Sequence, residues 1–139
     1  MGELFCAIHK VSIFNYLCMS AKRILIVDDH EQIRLSISEI LELQGYEVQT
    51  AINGKDAKEK VTGFQPDLIV TDILMPDMDG YELMMKKWTD QQIYEIPIIV
   101  VSAMVSKYDI AAGKALGAKK YLTKPFKAKD LIEAVAEFV

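Results

Sequence analysis

From Lys22 onward, continuous apolar runs and helical stripes take turns along the chain. RILIVD (23–28) is an apolar run that ends in acid, DLIVTD (67–72) is a second, and PIIVVS (97–102) is a third. Runs apolar on both sides are what the central strands of a covered parallel sheet require. EVQTA (47–51) alternates, as a strand at a sheet edge does, and 120–123 reads as a further short strand. The intervening stretches are helical. Ile33, Ile37, Ile40, Leu41 and Gln44 mark one face of a helix over 30–44, with Gly45 as its stop. Asn53-Gly54 opens a weaker helix to about Thr62, which Gly63 is expected to end. GYELMMKKWT (80–89), 107–116 followed by Gly117, and 128–138 complete the helices. Such alternation predicts an α/β protein: a doubly wound, five-stranded parallel sheet with right-handed crossovers and helices on both faces.

The composition suits that picture. With 139 residues and 51% hydrophobic content, one domain has enough apolar surface for a substantial core. A net charge of −4 argues against a nucleic-acid-binding module, which would carry a basic face. Cys6 and Cys18 both stand near the start, lack Cys-x-x-Cys spacing and predict no zinc site. The cysteine-free main body reads as reduced and cytoplasmic.

Residues 1–20, MGELFCAIHKVSIFNYLCMS, form a separate N-terminal extension. Glu3, His9, Lys10, Ser12 and Asn15 interrupt its apolar character, so it predicts neither a bilayer span nor a secretory signal. Position 6 is Cys, which weakens a myristoylation reading of Gly2. Leu4, Ile8, Val11, Phe14 and Cys18 fall at helical spacing. The extension is therefore an accessory helix, a disordered tail, or a stretch upstream of a natural start at Met19, the last being preferred. Residues 21–139 form the domain proper.

The strand ends gather the chemistry. The first strand delivers Asp28 and Asp29, the third Asp72, the fourth Ser102, and the fifth Lys124. In an open parallel sheet these ends share one edge, where ligands bind. Three carboxylates together invite a hard divalent cation such as Mg²⁺. A lysine and a hydroxyl opposite them suit a visiting phosphoryl group, and a carboxylate can serve as its acceptor. Taken singly, Asp28-Asp29 could be a helix cap and 72–80 a mere turn. All four strand ends carrying such residues is harder to assign to chance.

ILIVDD, DLIVTDILMPDMDG, PIIVVSA and YLTKPF, in that order and at these spacings, closely resemble the signature blocks of response-regulator receiver domains of two-component signalling. The resemblance covers about 22–139 and implies the flavodoxin-like strand order 2-1-3-4-5. It implies that Asp72 is the phospho-acceptor. Asp29 and Asp72 would bind Mg²⁺ directly, Asp28 partly through water, and the backbone carbonyl of Leu74 would complete the protein ligands. Lys124 would meet the phosphate, Ser102 would be the switch hydroxyl with Ala103 beside it, and Tyr121 the aromatic that follows the switch. Pro125 would follow a cis peptide bond. The implied role is regulatory and not enzymatic. A sensor histidine kinase or phosphotransfer protein would donate the phosphoryl group. A downstream protein would read the face made by the fourth helix, fifth strand and fifth helix, and neither nucleic acid nor membrane would be a partner. The last helix ends the chain, so a single-domain regulator is expected.

Two departures from the family pattern stand out. Leu74 and Met104 occupy the positions flanking the path of attacking water, and both are apolar, which predicts slow self-dephosphorylation. Lys119-Lys120 replaces an acidic pair found in many winged-helix members, and AKDLIEAVAEFV lacks the matching arginines. Dimerisation of that kind is not expected. Lys119, Lys120, Lys127 and Lys129 instead suggest a basic rim, or simply a solvated cluster. Two rivals fit less well. An aspartate-based phosphohydrolase would want a second acid at position 74, and a flavin carrier would want a Ser/Thr/Gly-rich loop where DDHEQ stands.

Overall fold

A computed structural model describes residues 21–73, 95–104, 106–115 and 117–139. The N-terminal extension, Leu74, Trp88 and the helix expected over 80–89 lie outside these residues. The described elements run β1 (Arg23–Val27), α1 (Glu31–Leu43), β2 (Glu47–Ala51), α2 (Gly54–Phe64), β3 (Leu68–Thr71), β4 (Ile98–Ser102), α3 (Lys107–Ala115), β5 (Ala118–Thr123) and α4 (Ala128–Phe138). The strands form one parallel sheet in the order β2-β1-β3-β4-β5. EVQTA thus takes an edge, and the three apolar runs take the middle.

Strand alternation divides the core into two layers. Leu25, Val27, Ile69, Ile98 and Val100 face Ala57, Val61 and Phe64 of α2. Ile24, Ile26, Leu68, Val70, Ile99 and Val101 face Ile37 and Leu41 of α1 and Leu131, Ala134 and Val135 of α4. Each fully buried Ile or Leu contributes roughly 1.5–3 kcal/mol, so it is this double coverage that holds the central strands. α3 lies against β5, where Gly113 lets the helix approach closely. A Cβ at that position would stand 3.2 Å from two atoms of the Tyr121 ring.

Several boundaries differ from the sequence expectation, each for a local reason. Gly45 does follow α1 with φ +93°. Gly63, however, lies inside α2, and the left-handed turn falls to Gln65 at φ 52°, two residues later. Phe64 is what extends the helix, because it is buried in the core. Asn53 caps α2 by accepting from the Asp56 amide at 2.8 Å. β5 begins at Ala118, earlier than expected, because its register shifts opposite Ile98 and Ile99: Ile98 pairs with Ala118, and Ile99 with Lys120. That irregularity accommodates Lys119, and the polar Lys-Lys pair had hidden the start of the strand.

Candidate functional site

The ladder extends one residue beyond three strands and thereby fixes the site. Asp28 donates its amide to Ala51 O at 3.1 Å, Asp72 to Val27 O at 3.0 Å, and Lys124 to Ser102 O at 2.8 Å. Each side chain leaves the sheet from a backbone already held by its neighbour. Asp28 is 1% exposed and Asp72 6%, so both carboxylates are buried at the sheet's C-terminal edge.

Lys124 ties them together. Its Nζ donates to Asp28 Oδ2 and to Asp72 Oδ2, both at 2.7 Å, across 96 and 52 residues of sequence. Burial pulls the ammonium's pKa down, but the hydrogen bonds and charges of Asp28 and Asp72 outweigh it and hold the group above its usual 10.5. The remaining oxygens are also engaged. Asp72 Oδ1 accepts from the Ile73 amide at 2.6 Å, and Asp28 Oδ1 accepts from the His30 amide at 2.8 Å. Thr71 Oγ1 donates to Asp72 O at 2.8 Å, and Arg34 Nη1 to Asp28 O at 2.7 Å.

A cavity of about 300 Å³ opens over Asp72 and Lys124. Ser102, Ala103, Met104, His30 and Ile33 also line it. Ser102 is buried, and its Oγ accepts from the Met104 amide at 3.2 Å. Tyr121 is half-buried outside that lining, and its hydroxyl donates to Met104 O at 2.7 Å. The 103–104 segment therefore connects the cavity to the β5 aromatic. The Lys124–Pro125 peptide is cis.

Asp28 and Asp72 meet the half-buried Lys124 amine, and the more exposed Asp29 lies beside them. Ligand atoms of these three acids and of His30 all lie within 4.8 Å of one another. Carboxylate oxygens at such spacing fit a hard divalent cation like Mg²⁺, which prefers oxygen donors and offsets mutual repulsion. The residues present therefore suit the ion, although Leu74 lies outside the described residues. Sequence reasoning missed two contributors. A helix over 30–44 makes His30 an ordinary first-turn residue, whereas it is the N-cap of α1 and its ring meets two carboxylates. Arg34, one turn into α1, fixes the Asp28 carbonyl, and only its position on the face nearest the acids could have signalled this. The lysine rim is also less basic than its residue types suggest. Lys120 lies 3.9 Å from Glu137, and Lys129 lies 3.9 Å from Glu133.

A parallel 2-1-3-4-5 sheet with acids, a lysine and a hydroxyl at its carboxyl edge defines a class of signalling domain. The chain belongs to the response regulator receiver domain family, whose model matches residues 24–136. It is 40% identical over 110 residues to the alkaline phosphatase synthesis transcriptional regulatory protein PhoP of Bacillus subtilis, covering 79% of this chain and 45% of PhoP. It is 33% identical over 117 residues to protein PilG of Pseudomonas aeruginosa, covering 84% of this chain and 87% of PilG. The chain thus spans less than half of PhoP and most of PilG. Among solved structures, the Vibrio cholerae chemotaxis protein CheY4 is similar with a TM-score of 0.80 and 32% identity. That match covers 86% of this chain and all of the other. The receiver-domain fold is typical of regulatory rather than catalytic proteins and is consistent with phosphorylation-based signalling. Among the described residues, no helix is long and apolar enough to cross a membrane.

Proposed function

We propose that residues 21–139 act as a phosphorylation-controlled switch in which Asp72 accepts a phosphoryl group from a histidine kinase or a phosphotransfer protein. The observation that carries this reading is the Lys124 ammonium, 2.7 Å from both Asp28 and Asp72 at the mouth of a cavity that Ser102 also lines. An Asp72 carboxylate oxygen forms the new O–P bond as the N–P bond to the donor imidazole breaks, and the imidazole leaves with the electron pair. Lys124 neutralises the incoming phosphate oxygens as a point charge, and Ser102 donates to another oxygen. Asp28, Asp29 and Asp72 would hold Mg²⁺, with the Leu74 carbonyl as a further ligand, and the ion supplies charge neutralisation during transfer.

The readout follows from the Ser102–Met104–Tyr121 connection. When Ser102 turns to the phosphate, its bond to the Met104 amide is given up, and the Tyr121 hydroxyl loses its fixed partner on the same residue. The surface of α3, β5 and α4 then changes, and a downstream protein reads the change. Met104 lines the cavity without a group that could orient water, and Leu74 is equally apolar, so hydrolysis of the phosphoryl group is slow. Residues 1–20 form an extension outside the switch.

Incubation with acetyl phosphate and Mg²⁺ tests this reading by intact mass. The parent chain gains one phosphoryl group and Asp72→Asn gains none. A parent that stays unmodified, or a variant that is modified equally, defeats the assignment.

A further inference from the structure

The function just proposed makes no use of the His30 imidazole. His30 is the N-cap of α1, yet its side chain makes no capping hydrogen bond. The ring turns instead toward the acids, with Nδ1 3.1 Å from Asp28 Oδ1 and 3.0 Å from Asp29 Oδ1. Lys124 uses the opposite oxygen of Asp28, so the amine and the imidazole divide one carboxylate between them.

These distances have a coordination-chemical meaning. Adjacent ligands of an octahedral ion with bonds of about 2.1 Å stand ~3.0 Å apart, and opposite ligands ~4.2 Å. The separations of Nδ1 from the two carboxylate oxygens match an octahedral edge, and the four-residue set, within 4.8 Å, needs only a slight contraction to close on an ion. The side chain is 65% exposed, so the ring can settle onto an ion without displacing core atoms.

We propose that His30 is an additional metal ligand through Nδ1, giving this receiver domain a donor set of three carboxylates and one imidazole. Imidazole contributes little to a hard ion such as Mg²⁺ and a great deal to Co²⁺, Ni²⁺ or Zn²⁺. The site therefore discriminates in favour of first-row transition ions more strongly than an all-oxygen cluster would. This inference rests on reading the acid cluster as a metal site.

Calorimetric titration of the full chain at pH 8 with Mg²⁺ and, separately, with Co²⁺ tests it. His30→Ala is expected to weaken Co²⁺ binding by about 10- to 100-fold and to shift its visible absorption, while Mg²⁺ affinity changes by less than about twofold. His9→Ala serves as a control and leaves Co²⁺ binding unchanged. If His30→Ala binds Co²⁺ with unaltered affinity and spectrum, or if His9→Ala removes the binding, the imidazole is not a ligand. In that case Asp29→Asn still loses Mg²⁺, and the acid site survives the failure. If the parent binds neither ion, or Asp29→Asn binds Mg²⁺ as well as the parent does, the metal reading itself falls and the His30 assignment with it.

Discussion

The two edges of the sheet handle charge in opposite ways. At the amino edge, Arg23 contacts Glu47 at 3.3 Å, donates to Phe64 O at 3.0 Å, and lies 5.8 Å from the centre of the Phe64 ring. Its amide also takes a carboxylate oxygen of Asp67 at 2.8 Å. These groups are half in water and bind β1, β2 and the end of α2 together. At the carboxyl edge, buried Asp28 and Asp72 share Lys124, and Asp29 brings another negative charge. Exposed charge that is closely matched secures a fold. Buried charge left in excess of its counter-ions is expensive, and a chain retains it where a ligand will arrive to balance it.

The largest break in this comparison is Asp72→Asn, which is expected to abolish phosphorylation by small phosphodonors while leaving the fold intact. Next is Lys124→Ala, which strands two buried carboxylates and should cost about 3 kcal/mol in chemical denaturation without metal. Saturating Mg²⁺ should return part of that loss, since an ion that binds only the folded state stabilises it. A Lys124→Ala protein whose stability Mg²⁺ does not raise would contradict a shared ion site. Replacing Leu74 and Met104 together with residues that can position water should shorten the phosphoryl lifetime, by up to roughly 100-fold. A lifetime equal to the parent's means those positions do not govern hydrolysis.

At the opposite edge, Arg23→Ala should cost only about 1 kcal/mol and leave phosphorylation unchanged, because its ion pair is solvent-exposed. The smallest effect is one of pH. The Lys124 pKa is raised on folding, so its contribution is complete below the usual 10.5 and fades as pH climbs through the higher folded value. Melting curves of parent and Lys124→Ala should therefore lie somewhat closer together in strong alkali than at neutral pH.

The strands could be read from the chain because three of them are apolar on both sides, a pattern that only a covered parallel sheet uses so freely. The gathering of Asp28, Asp72, Ser102 and Lys124 at one place was legible for a related reason: topology sends every strand end to one edge. What escaped the sequence lies in side-chain directions and local competition. Gly63 looked like a helix stop, but burial of Phe64 carried α2 past it and left the left-handed residue to Gln65. His30 looked like part of a helix because spacing does not reveal where a ring at the N-cap turns. Tyr121 was expected to follow the switch, yet nothing in its position tells that its hydroxyl would meet Met104 O. Lys120 gave no sign of a partner because Glu137 lies on another element, α4, whereas Glu133 stands one helical turn from Lys129 on α4 itself.

Borohydride trapping of the acyl phosphate, followed by peptide mapping, tests the central claim most directly. After treatment with acetyl phosphate and Mg²⁺, the trapped label is expected at position 72 and nowhere else. Label at another acid, or none at all, would contradict the account.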